Sequence, residues 1–117
     1  MRVFLPLIAL VSFLMAGPAR AHAHLEKSTP AEGTVLTRSP TTLEMTFSEP
    51  ARLTALSIQK DQEPKQAIKS LPNAAEETVR VALPALSPGA YTVSWRVVSP
   101  DGHVMSGALH FTIAAKR

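Results

Sequence analysis

The chain has no cysteine among its 117 residues. That excludes a disulfide framework and any thiolate metal site, and the fold must be held by packing and backbone pairing alone. Aromatic residues are scarce at 5%, with a single Trp and a single Tyr. An excess of one charge is also missing. Of 12 basic residues, Arg2 and Arg20 lie in a removable N-terminal segment, which leaves 10 against 9 acidic ones. A balance this even provides no basic field for nucleic acid or an anionic membrane surface. Long hydrophobic runs are absent as well. The longest, Val3 to Met15, falls well short of the roughly 20 residues that span a bilayer.

What that run does resemble is the core of an export signal. Met1-Arg2 gives a short positive start, Val3 to Met15 is apolar and uncharged, and Ala16-Gly17-Pro18 breaks the run before the small residues Ala19 and Ala21. This order predicts a secretory signal peptide over residues 1–21, cleaved after Ala21. The competing reading is a membrane anchor, for which the run is too short. No Cys follows it, so a lipid-anchored form is not supported. Removing 21 of 117 residues leaves 96, one domain of residues 22–117 on ordinary size grounds, with no direct membrane insertion after cleavage.

The dominant pattern in that domain has a period of two. Leu43, Met45 and Phe47 alternate with polar neighbours, as do Val79, Val81 and Leu83. Tyr91, Val93, Trp95 and Val97 do the same, and so do Leu109, Phe111 and Ile113. These are half-buried strands, and Leu56 and Ile58 suggest another. Eight of the 10 prolines, from Pro30 to Pro100, recur at intervals that no long helix accepts. Only the stretch near Ala74 to Glu77 is compatible with a helical turn, and Lys60 to Lys69 reads as a loop or irregular edge. Short strands separated by turn signals argue an all-β sandwich with Trp95 at its centre. Arg96 and His110 fall on outward positions.

Two places concentrate chemistry. Cleavage after Ala21 would make His22-Ala23-His24 the first residues of the mature chain. A free terminal amine and the imidazole of the same His22 close one ring on a metal, and His24 adds a second imidazole. Amine and imidazole nitrogens suit copper, zinc and nickel, and four of them in a tetragonal plane favour Cu(II). The second place is Ser99-Pro100-Asp101-Gly102-His103, directly after the longest alternating run. Pro and Gly make a tight turn that points Asp101 and His103 from one loop toward one point. The carboxylate there either fixes which ring nitrogen faces a metal or is itself a weak ligand. Taken alone, the segment also reads as an ordinary Asp-Gly turn with an exposed His.

The run Tyr91 to His103, with Trp95, Arg96, Ser99, Asp101 and Gly102 in place and followed by Gly107 and Phe111, resembles the C-terminal signature of the CopC family of periplasmic copper-binding proteins. His24-Leu25, Ser28 to Gly33 and Leu43 to Pro50 are similar to the family's opening strands, so the resemblance covers essentially the whole mature chain. It implies an immunoglobulin-like Greek-key sandwich or barrel. It also implies one Cu(II) per chain at one end of that barrel, held by the His22 amine and ring and by the rings of His24 and His103, with Asp101 close by as an axial or outer partner. The amine and ring pairing at His22 is a histidine brace. Zn(II) would prefer a tetrahedral set. The implied role is copper homeostasis or resistance in the periplasm, by buffering copper or handing it to an inner-membrane CopD-like transport protein, without enzymatic activity.

Family members with a separate Cu(I) site carry a Met-rich middle segment, whereas the mature chain here has only Met45 and Met105. Both are best assigned to packing. Two other function classes remain open on sequence. One is a copper-dependent oxidative enzyme of the lytic polysaccharide monooxygenase type, which shares the histidine brace but needs an open coordination position and a polymer-docking surface. The other is a metal-free immunoglobulin-like interaction module. Within the copper reading, His22-Ala23-His24 would also chelate Cu(II) as a bare peptide, through its amine, two deprotonated amides and the third-residue imidazole.

Overall fold

Alternation of apolar and polar residues builds every long strand of this molecule. The computed structural model describes residues 24–115, and the segment read as an export signal and His22 lie outside the described residues. Seven strands follow in chain order: β1 (Leu25–Thr29), β2 (Thr34–Leu36), β3 (Thr42–Lys60), β4 (Gln66–Ala67), β5 (Glu76–Ala82), β6 (Gly89–Val98) and β7 (Val104–Ile113). No helix occurs among the described residues. The stretch compatible with a helical turn instead enters β5, where Glu76 pairs with Ala51 and Val79 and Val81 pair with Met45 and Leu43.

β3 belongs to both layers of the sandwich. Its first half is flanked by β1 and β5, and its second half by β4 and β6, with β7 and then β2 continuing the second layer. The change of partners falls between Phe47, the last residue opposite β1, and Arg52, the first opposite β6. Pro50 sits in that interval. A proline has no N–H for a ladder, so it is tolerated where a strand leaves one set of partners for another. The sequence reading of two separate strands here is therefore corrected to one strand of 19 residues.

A second irregularity explains why the apolar pattern of β3 changes phase. Leu53 pairs with Val97 but Ala55 pairs with Arg96, so Thr54 is an extra residue, and its hydroxyl donates to the Arg96 carbonyl at 3.2 Å. The bulge lets Leu53 and Leu56, three apart, both turn inward, followed by Ile58. Such insertions bend a strand and increase its twist. The remaining inward set is the one the alternation predicts, from Leu43, Met45 and Phe47 to Leu109, Phe111 and Ile113, except that Leu83 lies just past the end of β5 and packs only partly buried against the core.

The two layers meet around Trp95, whose ring lies edge-on to Phe47 at 5.4 Å between centroids. Tyr91 stacks on Phe111 at 5.5 Å and donates its hydroxyl to the Ser87 carbonyl at 2.6 Å. Gly107, opposite Trp95 in the β6–β7 ladder, makes room for the indole: a Cβ there would stand 2.6 Å from Trp95 Cζ2. The indole is rigid and packed, so it cannot swing aside. Gly107→Ala is expected to destabilise the fold by about 1–3 kcal/mol, the usual cost of overpacking. A urea titration followed by the single Trp measures it, and an unchanged midpoint would show that the ring is free to shift.

Candidate metal centre

β6 and β7 run together as far as Val98 and Val104, so residues 99–103 form the hairpin loop that joins them. The backbone closes this loop twice. Ser99 N donates to the His103 carbonyl at 2.9 Å, and Gly102 N donates to the Ser99 carbonyl at 2.8 Å. The second bond defines a turn from Ser99 to Gly102 with Pro100 at the position where its fixed φ is favoured. Gly102 has φ +90°, a conformation that side chains rarely adopt.

This turn brings Asp101 and His103 together. His103 Nδ1 lies 2.9 Å from Asp101 Oδ2, and the His103 backbone N donates to Asp101 Oδ1 at 3.3 Å. Ser99 Oγ donates to the same Oδ1. Both carboxylate oxygens are thus committed within the loop, and with Nδ1 turned to the carboxylate, Nε2 is the ring nitrogen that a metal would take. The Ser99 hydrogen bond is the largest influence on Asp101. Burial opposes it, the hydrogen bonds and charge of His103 add to it, and the carboxyl ends below its usual range. Asp101 therefore remains a carboxylate through the neutral and mildly acidic range, able to accept the ring N–H.

His24 enters from the other side of β3. Its backbone N donates to Ser48 Oγ at 2.9 Å and its carbonyl accepts from Ser48 N at 2.9 Å, which fixes the start of the described chain against β3 while the side chain is exposed. Ser48 and Arg52, the latter opposite Val98 at the mouth of the hairpin loop, lie on the one short stretch where β3 changes layers. His24 and the Asp101-His103 loop accordingly lie toward the same end of the sandwich. Among the described residues, no group of three or more His, Asp or Glu side chains gathers closely enough to hold a metal. The structure joins Asp101 to His103, holds His24 at the same end, and leaves His22 outside the described residues.

The remaining sequence-marked residues are packing or surface. Met45 is fully buried, Met105 packs partly buried against the core, and Arg96 is exposed. His110 is exposed as expected, but it has a partner that the sequence reading did not see. Its backbone N donates to Glu32 Oε1 at 2.9 Å, its Nδ1 lies 3.0 Å from Glu32 Oε2, and its carbonyl accepts from Gly33 N at 2.7 Å. These bonds tie the β1–β2 turn to β7. Ser99 and Ser48 were also missed as supports. A serine two residues before an Asp in a tight turn is a signal for the first, while the second emerges only from strand register.

Comparison with known proteins gives one answer. Residues 25–114 match the family model for the CopC domain. The chain is 37% identical over 116 residues to Protein YobA of Escherichia coli (strain K12), covering 94% of this chain and 91% of that one. It is 30% identical over 110 residues to Copper resistance protein C of Pseudomonas syringae pv. tomato, covering 86% of each. Among solved structures, PcoC, a methionine-rich copper resistance protein from Escherichia coli, superposes with a TM-score of 0.60 at 27% identity, covering 80% of this chain and 99% of that one. CopC from Methylosinus trichosporium OB3b shares the fold with a TM-score of 0.68 at 23% identity, over 82% and 97% of the two chains. With residues 25–114 matched by the family model and a copper resistance protein C 30% identical over 86% of the chain, the chain belongs to the CopC family.

Proposed function

We propose that the mature protein is a periplasmic copper-homeostasis protein that binds one Cu(II) at the end of the sandwich where His24 and the Asp101-His103 loop meet β3. The supporting observation is the loop itself: an imidazole whose Nδ1 is fixed by a carboxylate and which stands at the same end as His24. His22 contributes its amine and ring, His24 and His103 contribute one ring nitrogen each, and Asp101 holds the His103 ring from behind. Nitrogen donors in a plane match the tetragonal preference of Cu(II), which also tops the divalent affinity order. The bound ion is cargo, buffered in the periplasm or handed to a membrane transport protein of the CopD type.

The burial of all four aromatic side chains of the described residues, Phe47, Tyr91, Trp95 and Phe111, favours carriage over oxidative catalysis. A polymer-docking surface of the monooxygenase kind draws on exposed aromatics, and these are spent in the core. With two methionines assigned to packing and no cysteine, soft ligands for Cu(I) are lacking. Competition titrations with chelators specific for each redox state are therefore expected to find one tight Cu(II) and weak Cu(I) binding. Comparable affinity for both states contradicts the site, and no copper binding at all returns the chain to the metal-free module.

A further inference from the structure

Ser99 is the only buried polar or charged residue in the described sandwich, at 2% exposure. A buried hydroxyl costs free energy unless it is hydrogen-bonded, and this one spends its donor on Asp101 Oδ1. The loop has backbone closures besides that bond. Two backbone hydrogen bonds, Ser99 N to the His103 carbonyl and Gly102 N to the Ser99 carbonyl, already close it. The hydroxyl, which also lies 3.5 Å from the His103 carbonyl, joins the His103 backbone N in holding Asp101 Oδ1 and so the rotation of the carboxylate.

The terminal torsion of an aspartate is broad and roughly two-fold, so a carboxylate at a half-exposed position is free to turn toward water. Asp101 is such a residue, with about half of its side chain accessible (46%). Anchoring Oδ1 by the buried Ser99 hydroxyl, the closer of its two donors beside the His103 backbone N at 3.3 Å, turns Oδ2 to His103 Nδ1, 2.9 Å away. The three residues form a relay in which a buried donor aims a carboxylate, and the carboxylate sets the tautomer and direction of a ring.

We infer that Ser99 is a positioning residue for copper, acting through Asp101 to present His103 Nε2 to the ion. The inference rests on the proposed role of His103 as a ligand. Outer partners of metal-binding histidines change affinity by roughly 10–100-fold, and Ser99 stands one bond further out, so the low end of that range applies.

The test uses the mature protein with its authentic His22 terminus and Cu(II) as the probe. Ser99→Ala should bind Cu(II) about tenfold more weakly and show an altered copper EPR spectrum, while the metal-free protein melts close to the parent. Ser99→Thr keeps the hydroxyl and should bind within about twofold of the parent with the parent spectrum. In an Asp101→Asn background, Ser99→Ala should have little further effect, because residues acting through one another do not add. Equal loss in the Ala and Thr variants, an Ala variant whose metal-free form is unfolded, or full additivity with Asp101→Asn each overturns the inference. His103→Ala separates it from the reading it rests on. If His103→Ala weakens binding and Ser99→Ala does not, only the role of Ser99 fails; if His103→Ala leaves binding unchanged, the ligand set itself is wrong.

Discussion

A mature protein carrying one extra residue in front of His22 is expected to lose Cu(II) affinity by an order of magnitude or more, with a changed copper spectrum. In the proposed site His22 closes a chelate ring with its α-amine and its imidazole, and that ring exists only if the amine is terminal. An added residue converts the amine into an amide, which is neither basic nor readily deprotonated unless the metal displaces its proton. His24 and the Asp101-His103 loop are untouched by the change, since His24 is fixed by its backbone to Ser48 and the loop by its own hydrogen bonds. The loss is therefore assigned to one ligand group. Rearranging outer partners alone changes metal affinity by about tenfold or more, and removing a chelating donor exceeds that. Acetylation of the terminus should reproduce the effect without lengthening the chain. Equal binding by blocked and authentic proteins would remove the processed terminus from the site.

His103→Ala is the second large effect, and it separates two ways of holding copper. In the folded site the ring of His103 is one of the nitrogen donors, so its loss should lower affinity well beyond about tenfold, more than the loss of an outer partner. In the alternative chelate, the amine, two backbone amides and His24 complete the coordination plane, and His103 is irrelevant. The substitution is a clean probe because the ring is half exposed, at 48%, and the loop backbone is closed by bonds from other atoms. Stability should change little. An unchanged affinity and spectrum would assign copper to the terminal peptide and leave the Asp101-His103 pair as a feature of the turn.

The parts of this molecule that were legible in sequence are those whose cause is local. Alternation along residues 43–47, 79–81, 91–97 and 109–113 identified the inward faces, because a strand repeats every two residues whatever its neighbours are. Asp101 and His103 were legible as a pair because one turn contains both, with Pro100 and Gly102 fixing its path. The unity of β3 was not, since Pro50 in sequence signals an end, and only the exchange of partners around it shows why the strand continues. The bulge at Thr54 was hidden for a related reason: it shifts the apolar phase, so Leu53 and Leu56 do not look like one face. β2 and β4 are two or three residues long and carry no period. The Glu32–His110 contact joins residues 78 apart, and nothing near either one marks it.

The most direct measurement of the central claim is pulsed EPR of the mature protein loaded with one equivalent of Cu(II) at neutral pH, with histidine nitrogens isotopically labelled. The account predicts couplings from three imidazoles, those of His22, His24 and His103, together with the terminal amine. A single imidazole accompanied by backbone amide nitrogens would contradict it.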